Sequence, residues 1–182
     1  MYANTIELLA PAKNMECARA AIASGADAVY IGGPSFGARV NAPNSLEDIK
    51  ELCAYAHEFG VKIHITLNTI LNDSELEAAR EMAFKLYEAG ADALIIQDQG
   101  LLAGPLPPLE LHASTQQNND TPEKIKYLEE LGYTQAVLAR ELSINEIKKI
   151  HAAAKNIKLE AFVHGALCVG VSGRCYLSSA LT

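Results

Sequence analysis

Short apolar segments alternate with amphipathic helical segments along this 182-residue chain, and this alternation constrains the fold more than any other feature. The unit recurs about every 20–30 residues, which is typical of a parallel sheet with helical connections. Seven segments have the length and composition of strands. These predicted strands are Ile6–Ala10, Ala28–Gly32, Lys62–Asn68, Ala93–Gln97, Leu109–Ser114, Gln135–Ala139 and Leu159–His164.

The helical segments begin and end at residues that usually cap helices. Ser45 is a predicted N-cap, Thr121 precedes a proline at the first helical position, and Ser143 with Glu146 has the spacing of a capping box. Glycines follow several of the helices and predict their ends. The predicted helices are Asn14–Ser24, Ser45–Phe59, Asp73–Ala89, Thr121–Leu131 and Ser143–Ala154.

The phrase Gly-Ala-Asp-Ala occurs twice, at Gly25–Ala28 and at Gly90–Ala93. Each copy stands where a predicted helix gives way to a predicted strand. This is a weak indication of an internal repeat, which is common in folds that are built from β/α units.

The pattern within the strands favours a closed barrel over an open doubly wound sheet. Strands that are buried on both faces should be almost uniformly apolar. Here the strand 62–68 places Ile63 and Ile65 on one face and His64 and Thr66 on the other, and strands 109–114 and 159–164 alternate in the same way. A barrel interior that becomes polar towards the carboxyl ends of its strands would enclose these side chains.

The predicted fold is therefore α/β, a (β/α) barrel of the TIM type. A complete barrel needs about 200–250 residues. With seven strands, residues 1–182 are expected to be the N-terminal portion of one barrel domain, incomplete in this chain. The eighth β/α unit would then come from the remainder of the parent protein or from a partner chain.

Composition narrows the function classes. The chain is 49% hydrophobic and 20% charged, as in ordinary soluble domains, and its formal net charge is −7. An acidic domain lacks the broad basic footprint of non-specific nucleic-acid binders, which weakens direct RNA binding by this segment without excluding it. Its apolar runs are too short to span a membrane, and its start does not resemble a signal peptide, so a cytoplasmic location is expected.

Four cysteines divide into two pairs. Cys17 and Cys53 lie in helical patterns and are predicted to be buried thiols. Cys168 and Cys175 follow the last predicted strand, close to His164, in a glycine-rich segment at the expected active-site end of a barrel. The latter pair allows four interpretations: incidental thiols, two ligands of an iron–sulfur cluster, a Cys168 nucleophile with His164 as base, or a zinc site. Zinc binding by His164, Cys168 and Cys175 ranks lowest because the cysteine spacing is not Cys-x-x-Cys.

The same segment resembles the signature of peptidase family U32. The pattern is Glu-x-Phe-x-x-Gly-small-aliphatic-Cys, four residues, then Gly-x-Cys-x-aliphatic-Ser. Its fixed positions are all met, by Glu160, Phe162, Gly165, Ala166, Leu167, Cys168, Gly173, Cys175, Leu177 and Ser178. The resemblance covers nearly the whole chain, since five more stretches are similar: 7–12, 36–39, 66–69, 112–116 and 139–143.

The resemblance implies an enzyme, in one of two classes. The family name implies proteolysis, and some members are described as collagenases. Other members are implicated in hydroxylation of uridine in transfer RNA, of cytidine in ribosomal RNA and of ubiquinone precursors. In those members the signature cysteines help to bind a [4Fe–4S] cluster, so Cys168 and Cys175 would be two of its four ligands.

Hydroxylation is the leading hypothesis. The sequence contains neither a His-Glu-x-x-His helix nor a Gly-x-Ser-x-Gly elbow, the two peptidase motifs sought. The chain is therefore expected to belong to an iron–sulfur-dependent hydroxylation enzyme that acts on RNA. The alternatives are a collagenase-like peptidase, acting on a peptide, and a non-catalytic barrel half that needs a partner chain.

Further polar residues at strand ends are candidates for the site. Glu7 and Glu160 are a candidate acid–base pair or members of internal ion pairs, and Arg39 is a candidate for holding an anionic substrate or a solvated surface residue. His164 completes the candidate catalytic set. The candidates for substrate binding are Asn68, Asp98, His112, Gln116 and Arg140.

Overall fold

The computed structural model describes residues 6–37, 44–166, 168 and 170–174, and the chain divides into two compact units, Met1–Leu109 and Glu110–Thr182. In the first unit four parallel strands alternate with three α-helices, and the strands pair in the order in which they occur in the chain. The elements are β1 Leu9–Ala12, α1 Met15–Ala23, β2 Ala28–Gly32, α2 Leu46–Glu58, β3 Lys62–Leu67, α3 Leu76–Glu88 and β4 Ala93–Ile96. Short 3₁₀ helices at Asp73–Glu75 and Gln99–Ala103 complete the unit.

The second unit has three parallel strands, again paired in chain order, and two α-helices that pack against each other. Its elements are β5 Glu110–Ala113, a 3₁₀ helix Thr115–Gln117, α4 Pro122–Glu130, β6 Gln135–Val137, α5 Ile144–Ala153 and β7 Lys158–Glu160. No helix among the residues that the structure describes is long and apolar enough to cross a bilayer.

Local sequence explains where the helices begin. Ser45 caps α2 and forms a capping box with Asp48, and Ser143 forms the predicted box with Glu146 at α5. The Thr121 side chain accepts a hydrogen bond from the Lys124 backbone N–H at the start of α4. Each cap satisfies backbone donors that a helix leaves without a partner at its N-terminus.

The repeated Gly-Ala-Asp-Ala phrase has the same structure in both copies. In each copy the aspartate side chain accepts a 2.7 Å hydrogen bond from a backbone N–H at the start of the preceding strand. The donor to Asp27 is Leu8, just before β1, and the donor to Asp92 is Ile63, in β3. The aspartate backbone N–H returns a 2.9 Å hydrogen bond to the carbonyl of the same residue. The repeat is thus a connection between the start of one strand and its neighbour.

Two buried asparagines tie the carboxyl ends of neighbouring strands together. Asn44 in the first unit donates hydrogen bonds to the Lys13 and Gly32 carbonyls, at 3.2 and 2.9 Å. Asn119 in the second unit is 0% exposed and donates to the carbonyl oxygens at the ends of β5 and β6 (of Ala113, Ser114 and Val137). These bonds satisfy carbonyl groups that have no partner in the strand-to-strand hydrogen bonding. They also stiffen the carboxyl ends of the strands, where the predicted site residues lie.

The structure corrects several predicted boundaries. β1 is Leu9–Ala12 and not 6–10, because the Leu8 N–H is already bonded to Asp27 and Ile6 is 93% exposed. β7 ends at Glu160 and not at His164, because its partner β6 is only three residues long. The predicted strands 109–114 and 135–139 are likewise shorter in the structure.

The prediction for the two helical cysteines was half right. Cys53 on α2 is buried, and this burial, with a contribution from the charge of Asp92, raises the pKa of its thiol to about 12. Cys17 on α1 is exposed, so the prediction of a buried thiol was wrong there. The buried face of that helix is formed by Ala18 and Ile22 instead.

Candidate functional site

The segment 161–174, here called the cysteine loop, follows β7 and carries Cys168. The Cys168 side chain is exposed. The Gly170 backbone N–H lowers the pKa of the thiol most, and a hydrogen bond and the charge of the Arg140 guanidinium lower it further, whereas burial and the charge of Glu141 raise it. A thiol with a lowered pKa is more often a thiolate at neutral pH, and the thiolate is the form that binds metals or attacks electrophiles.

Arg140 reaches the cysteine loop from the segment that follows β6. Its Nη2 lies 3.5 Å from the Gly170 carbonyl oxygen, and its backbone N–H donates to Ser172 Oγ at 3.3 Å. Its Nε is buried and has no hydrogen-bond partner among the described residues. The sequence predicted Arg140 as a substrate-binding residue; the structure places it beside Cys168.

Glu141, next to Arg140, also contacts the cysteine loop. Its Oε1 accepts a hydrogen bond from the Ser172 backbone N–H at 2.5 Å. Burial raises the pKa of Glu141, but the hydrogen bonds from Ser172 and the charge of Arg140 outweigh burial, and the pKa lies below the ordinary value. Glu141 is therefore a carboxylate at neutral pH.

The polar faces predicted for the strands of the second unit are buried only in part: His112 and Ser114 are buried, Glu110 and Glu160 are half-buried, and Phe162 and His164 are exposed. His112 on β5 is 1% exposed and contacts Glu110 at 3.4 Å. Gln135 on β6 is paired with His112 in the strand register and donates a hydrogen bond from Nε2 to Glu160 Oε2 at 2.8 Å. Glu160, a candidate catalytic residue, is thus held by a buried amide.

His164 and Glu7 lie outside the strands. His164 is exposed in the cysteine loop, four residues beyond the end of β7. Glu7 precedes β1, and its Oε2 lies 4.0 Å from Lys62 Nζ, the outer limit for an ion pair. The ion-pair interpretation of Glu7 thus has a named partner, on β3, which β2 separates from β1 in the sheet.

In the first unit the candidate residues follow β3 and β4. Asn68 directly follows β3 and is half-buried. Asp98 follows β4, and both of its oxygens are hydrogen-bonded to backbone N–H groups, Oδ2 to Leu71 and Oδ1 to Gly100, each at 2.8 Å. Its carboxylate closes two loops of its own unit.

Phe36 marks a strained loop after β2. Its φ of 59° is in the left-handed region, which a bulky residue seldom adopts. The Thr69 side chain, from the loop after β3, donates a hydrogen bond to the Phe36 carbonyl at 3.2 Å. This backbone leads to the candidate residue Arg39, which lies outside the described residues.

The structure gathers some of the predicted site residues and leaves others apart. Cys168, Arg140 and Gln116 meet at the cysteine loop, since the Gln116 carbonyl borders Gly173. Cys175 lies outside the described residues, and within the described part of the chain no three His, Cys, Asp or Glu side chains are grouped to hold a metal ion.

Sequence analysis missed the residues that support this site: Gln135, Glu141 and Ser172. Gln135 is the one polar residue of the predicted strand 135–139, so the strand as a whole indicates only an apolar core segment. Ser172 belongs to the four unspecified positions of the signature, so the motif gave no signal for it. Glu141 follows Arg140 and suggests only a local ion pair by its position.

Comparison with known proteins gives consistent matches over nearly the whole chain. The family model described as peptidase family U32 matches residues 13–182. The chain is 57% identical over 177 residues to the 23S rRNA 5-hydroxycytidine C2501 synthase of Escherichia coli, which covers 97% of this chain and 27% of that protein. It is 37% identical over 180 residues to the tRNA hydroxylation protein P1 of Bacillus subtilis, covering 97% and 42%. The chain thus spans less than half the length of either relative.

A solved structure of a U32 peptidase superposes with a TM-score of 0.72 at 14% identity, covering 88% of this chain and 70% of that one. At this identity the likeness shows the fold alone. Together with the parallel strands and their helical connections, it confirms the (β/α) barrel class that the sequence predicted.

Proposed function

Because this chain belongs to peptidase family U32, we propose that it is part of an enzyme that hydroxylates RNA, with a cytidine of ribosomal RNA as the substrate. The observation that carries the proposal is the 57% identity to the 23S rRNA 5-hydroxycytidine C2501 synthase. The second relative is named for hydroxylation of tRNA and is 37% identical. The higher identity favours ribosomal RNA, and an RNA-modifying enzyme of this kind would act in the cytoplasm.

An iron–sulfur cluster is the cofactor we propose, with Cys168 and Cys175 as two of its four ligands. Cys168 fits this role because it is exposed and because Gly170 and Arg140 lower its pKa, and a cluster is held by thiolates. Such a cluster would supply electron transfer, which the oxidation of a base requires. Zinc remains the weaker alternative.

The residues around the cysteine loop suggest roles for this chain in that reaction. Arg140 carries a buried Nε and lies beside Cys168, so we assign it to the binding of an RNA phosphate or base near the cluster. Glu160, which Gln135 holds in place, is the proposed proton acceptor. Glu7, His164 and Arg39 stay candidates for catalysis, and Asn68, Asp98, His112 and Gln116 stay candidates for substrate contacts.

The distribution of charge favours the second unit as the part that meets RNA. Residues 1–109 hold 14 acidic and 7 basic side chains, whereas residues 110–182 hold eight of each. The whole net charge of −7 therefore resides in the first unit. A neutral surface repels RNA phosphates less than an acidic one does, and it also carries Arg140 and Arg174.

The test is the loss of a modified nucleoside from the host organism. Deleting the gene should remove 5-hydroxycytidine from 23S rRNA, as measured by mass spectrometry of digested RNA. Returning the wild-type gene should restore the nucleoside, and the Cys168→Ala gene should not. Cys17→Ala is the matched control, because Cys17 is also an exposed cysteine but lies on α1. Unchanged hydroxylated nucleosides in both rRNA and tRNA of the deletion strain would overturn the proposal.

Proteolysis is the weaker alternative and has a direct assay. The purified whole protein would cleave gelatin, and that activity would depend on a nucleophile such as Cys168. A protein with neither gelatinase activity nor an effect on RNA would favour the third possibility, a barrel segment that serves as a scaffold for a partner chain.

A further inference from the structure

The cysteine loop combines an exposed part with a docked part. Its residues 161–166 and Cys168 are exposed, and Val163 is 90% exposed. Further along, Val171 is 51% exposed while the adjacent Ser172 is only 2% exposed. A buried serine in a mostly exposed loop needs polar partners, because burying its hydroxyl and N–H groups without partners is costly.

Both partners of Ser172, Arg140 and Glu141, are neighbours in the segment after β6. The Ser172 backbone N–H donates to Glu141 Oε1 at 2.5 Å, and Ser172 Oγ accepts from the Arg140 backbone N–H at 3.3 Å. The loop also turns at this point, where the Arg174 N–H donates to the Val171 carbonyl at 3.0 Å. The tip of the cysteine loop is therefore anchored to the end of β6.

Gly173 is the third part of this anchor. Its φ is +73°, and a Cβ atom added there would lie 2.5 Å from the Gln116 carbonyl oxygen and 3.1 Å from Asn118 atoms. Only glycine allows the loop to approach the segment after β5 so closely. This gives a physical reason for the glycine that the family signature specifies at this position.

Ser172 lies between the two signature cysteines, four residues after Cys168 and three before Cys175. A fully extended residue spans at most about 3.6 Å, so a fixed Ser172 limits how far Cys168 can lie from the segment after β6. Binding sites in proteins work best when their ligating groups are held in place before the ligand arrives.

We propose that Glu141 is a positioning residue, which holds the cysteine loop in place through Ser172 and so presents Cys168 for ligand binding. The docking of the loop is independent of the proposed function; only the consequence for ligand binding rests on it. In this role Glu141 acts through its hydrogen bond to Ser172.

Hydrogen exchange at the Ser172 amide tests the docking directly in the whole protein. In Glu141→Ala the acceptor is gone, and exchange at this amide should accelerate about tenfold, the size expected for a hydrogen bond to a charged acceptor. Glu141→Gln keeps an acceptor oxygen and should stay within a few fold of the wild type. Glu146→Ala is the matched control, because Glu146 caps α5 through Ser143 and has no contact with the loop.

Iron content measures the consequence for the proposed cluster. In protein purified without oxygen, Glu141→Ala should lose iron and its visible absorption, and Glu141→Gln should recover both. If Glu141→Ala does not fold, Glu141→Asp takes its place, since a carboxylate that is one methylene shorter cannot reach Ser172 as well. Unchanged Ser172 exchange in the alanine or aspartate variant would overturn the docking by Glu141. Faster exchange with iron fully retained would overturn its positioning role, whereas an iron-free wild type would refute the cluster and leave the docking intact.

Discussion

In the two units, the carboxylates that follow strands have different structural roles. In the first unit Asp98, after β4, accepts hydrogen bonds from the Leu71 and Gly100 N–H groups and closes loops of its own unit. In the second unit Glu141, after β6, accepts from Ser172 and holds the loop that carries Cys168. An acidic residue at the carboxyl end of a barrel strand is thus not a ligand contact by position alone, because the nearby backbone competes for it.

The largest effect on stability is expected from Asp98→Ala. Two backbone N–H groups would lose their acceptor, which should lower the free energy of unfolding by about 2–3 kcal/mol. Urea denaturation measures the loss, and Asp98→Asn, which keeps one acceptor oxygen, should lose about half as much. If Asp98→Ala unfolds like the wild type but abolishes hydroxylation, then Asp98 contacts substrate and the contrast with Glu141 fails.

The next effect concerns Gly173 in the cysteine loop. Gly173→Ala should cost about 1–2 kcal/mol for the left-handed backbone and should also push the loop away from Gln116. Gly132→Ala is its control in the same unit, since Gly132 has a φ of +91° but open space around the added methyl group. Gly173→Ala should lose at least as much stability as Gly132→Ala, and only Gly173→Ala should lose 5-hydroxycytidine formation. Equal activity of the two variants would show that the close approach of the loop is unimportant.

A smaller effect is expected on the reactivity of Cys168. Arg140→Gln removes the guanidinium, so the pKa of Cys168 should rise towards the ordinary thiol value while the Gly170 N–H still lowers it. The rate of alkylation by iodoacetamide as a function of pH, measured on iron-free protein by mass spectrometry of the Cys168 peptide, should shift to higher pH. Arg140→Lys, which keeps the charge, should shift less. Superimposable pH profiles of the variant and the wild type would show that Arg140 does not lower the pKa of Cys168.

The smallest effect is expected on the pH dependence of stability, which can be compared for two capping boxes, Ser45 with Asp48 in the first unit and Ser143 with Glu146 in the second. Serine hydrogen bonds lower the pKa of Asp48 in the first unit and of Glu146 in the second. A lowered pKa means that the ionised form stabilises the fold above the ordinary carboxyl range, about 4, and that this stabilisation is lost as the pH falls through the lowered value. Melting temperatures at pH 7 and pH 3 should therefore converge in Asp48→Ala and in Glu146→Ala. If a variant keeps the wild-type pH dependence of the melting temperature, its capping box does not contribute to the pH dependence of stability.

The fold was predictable because it repeats a simple pattern. Helix caps such as Ser45 and Ser143 and the buried strand residues are local signals, and the structure confirms them. The ends of β1 and β7 were wrong because they depend on partners distant in sequence: Asp27 takes the N–H of Leu8, and the short β6 leaves nothing for residues beyond Glu160 to pair with.

The candidate site was predictable where the family signature names a residue or, as for Arg140, where a polar residue follows a predicted strand. Cys168 and Gly173 are fixed positions of that signature, and the structure gives each a physical setting. Glu141 and Ser172 were missed because their importance arises from one hydrogen bond across 31 positions of the chain. No periodicity or spacing rule reveals a contact of that kind.

The order of the strands also bears on how the protein is made. In each unit every strand pairs with the strand that precedes it in the chain, so a strand leaving the ribosome finds its neighbour already synthesised. Domains commonly fold from the N-terminus during synthesis, and pairing between successive strands needs only one helical crossover to close at a time. The cysteine loop follows the last described strand, so Glu141, just after β6, leaves the ribosome before Ser172 does. The anchor would then be ready to receive the cysteine loop as it leaves the ribosome, before Cys168 meets oxidants or stray metal ions in solution.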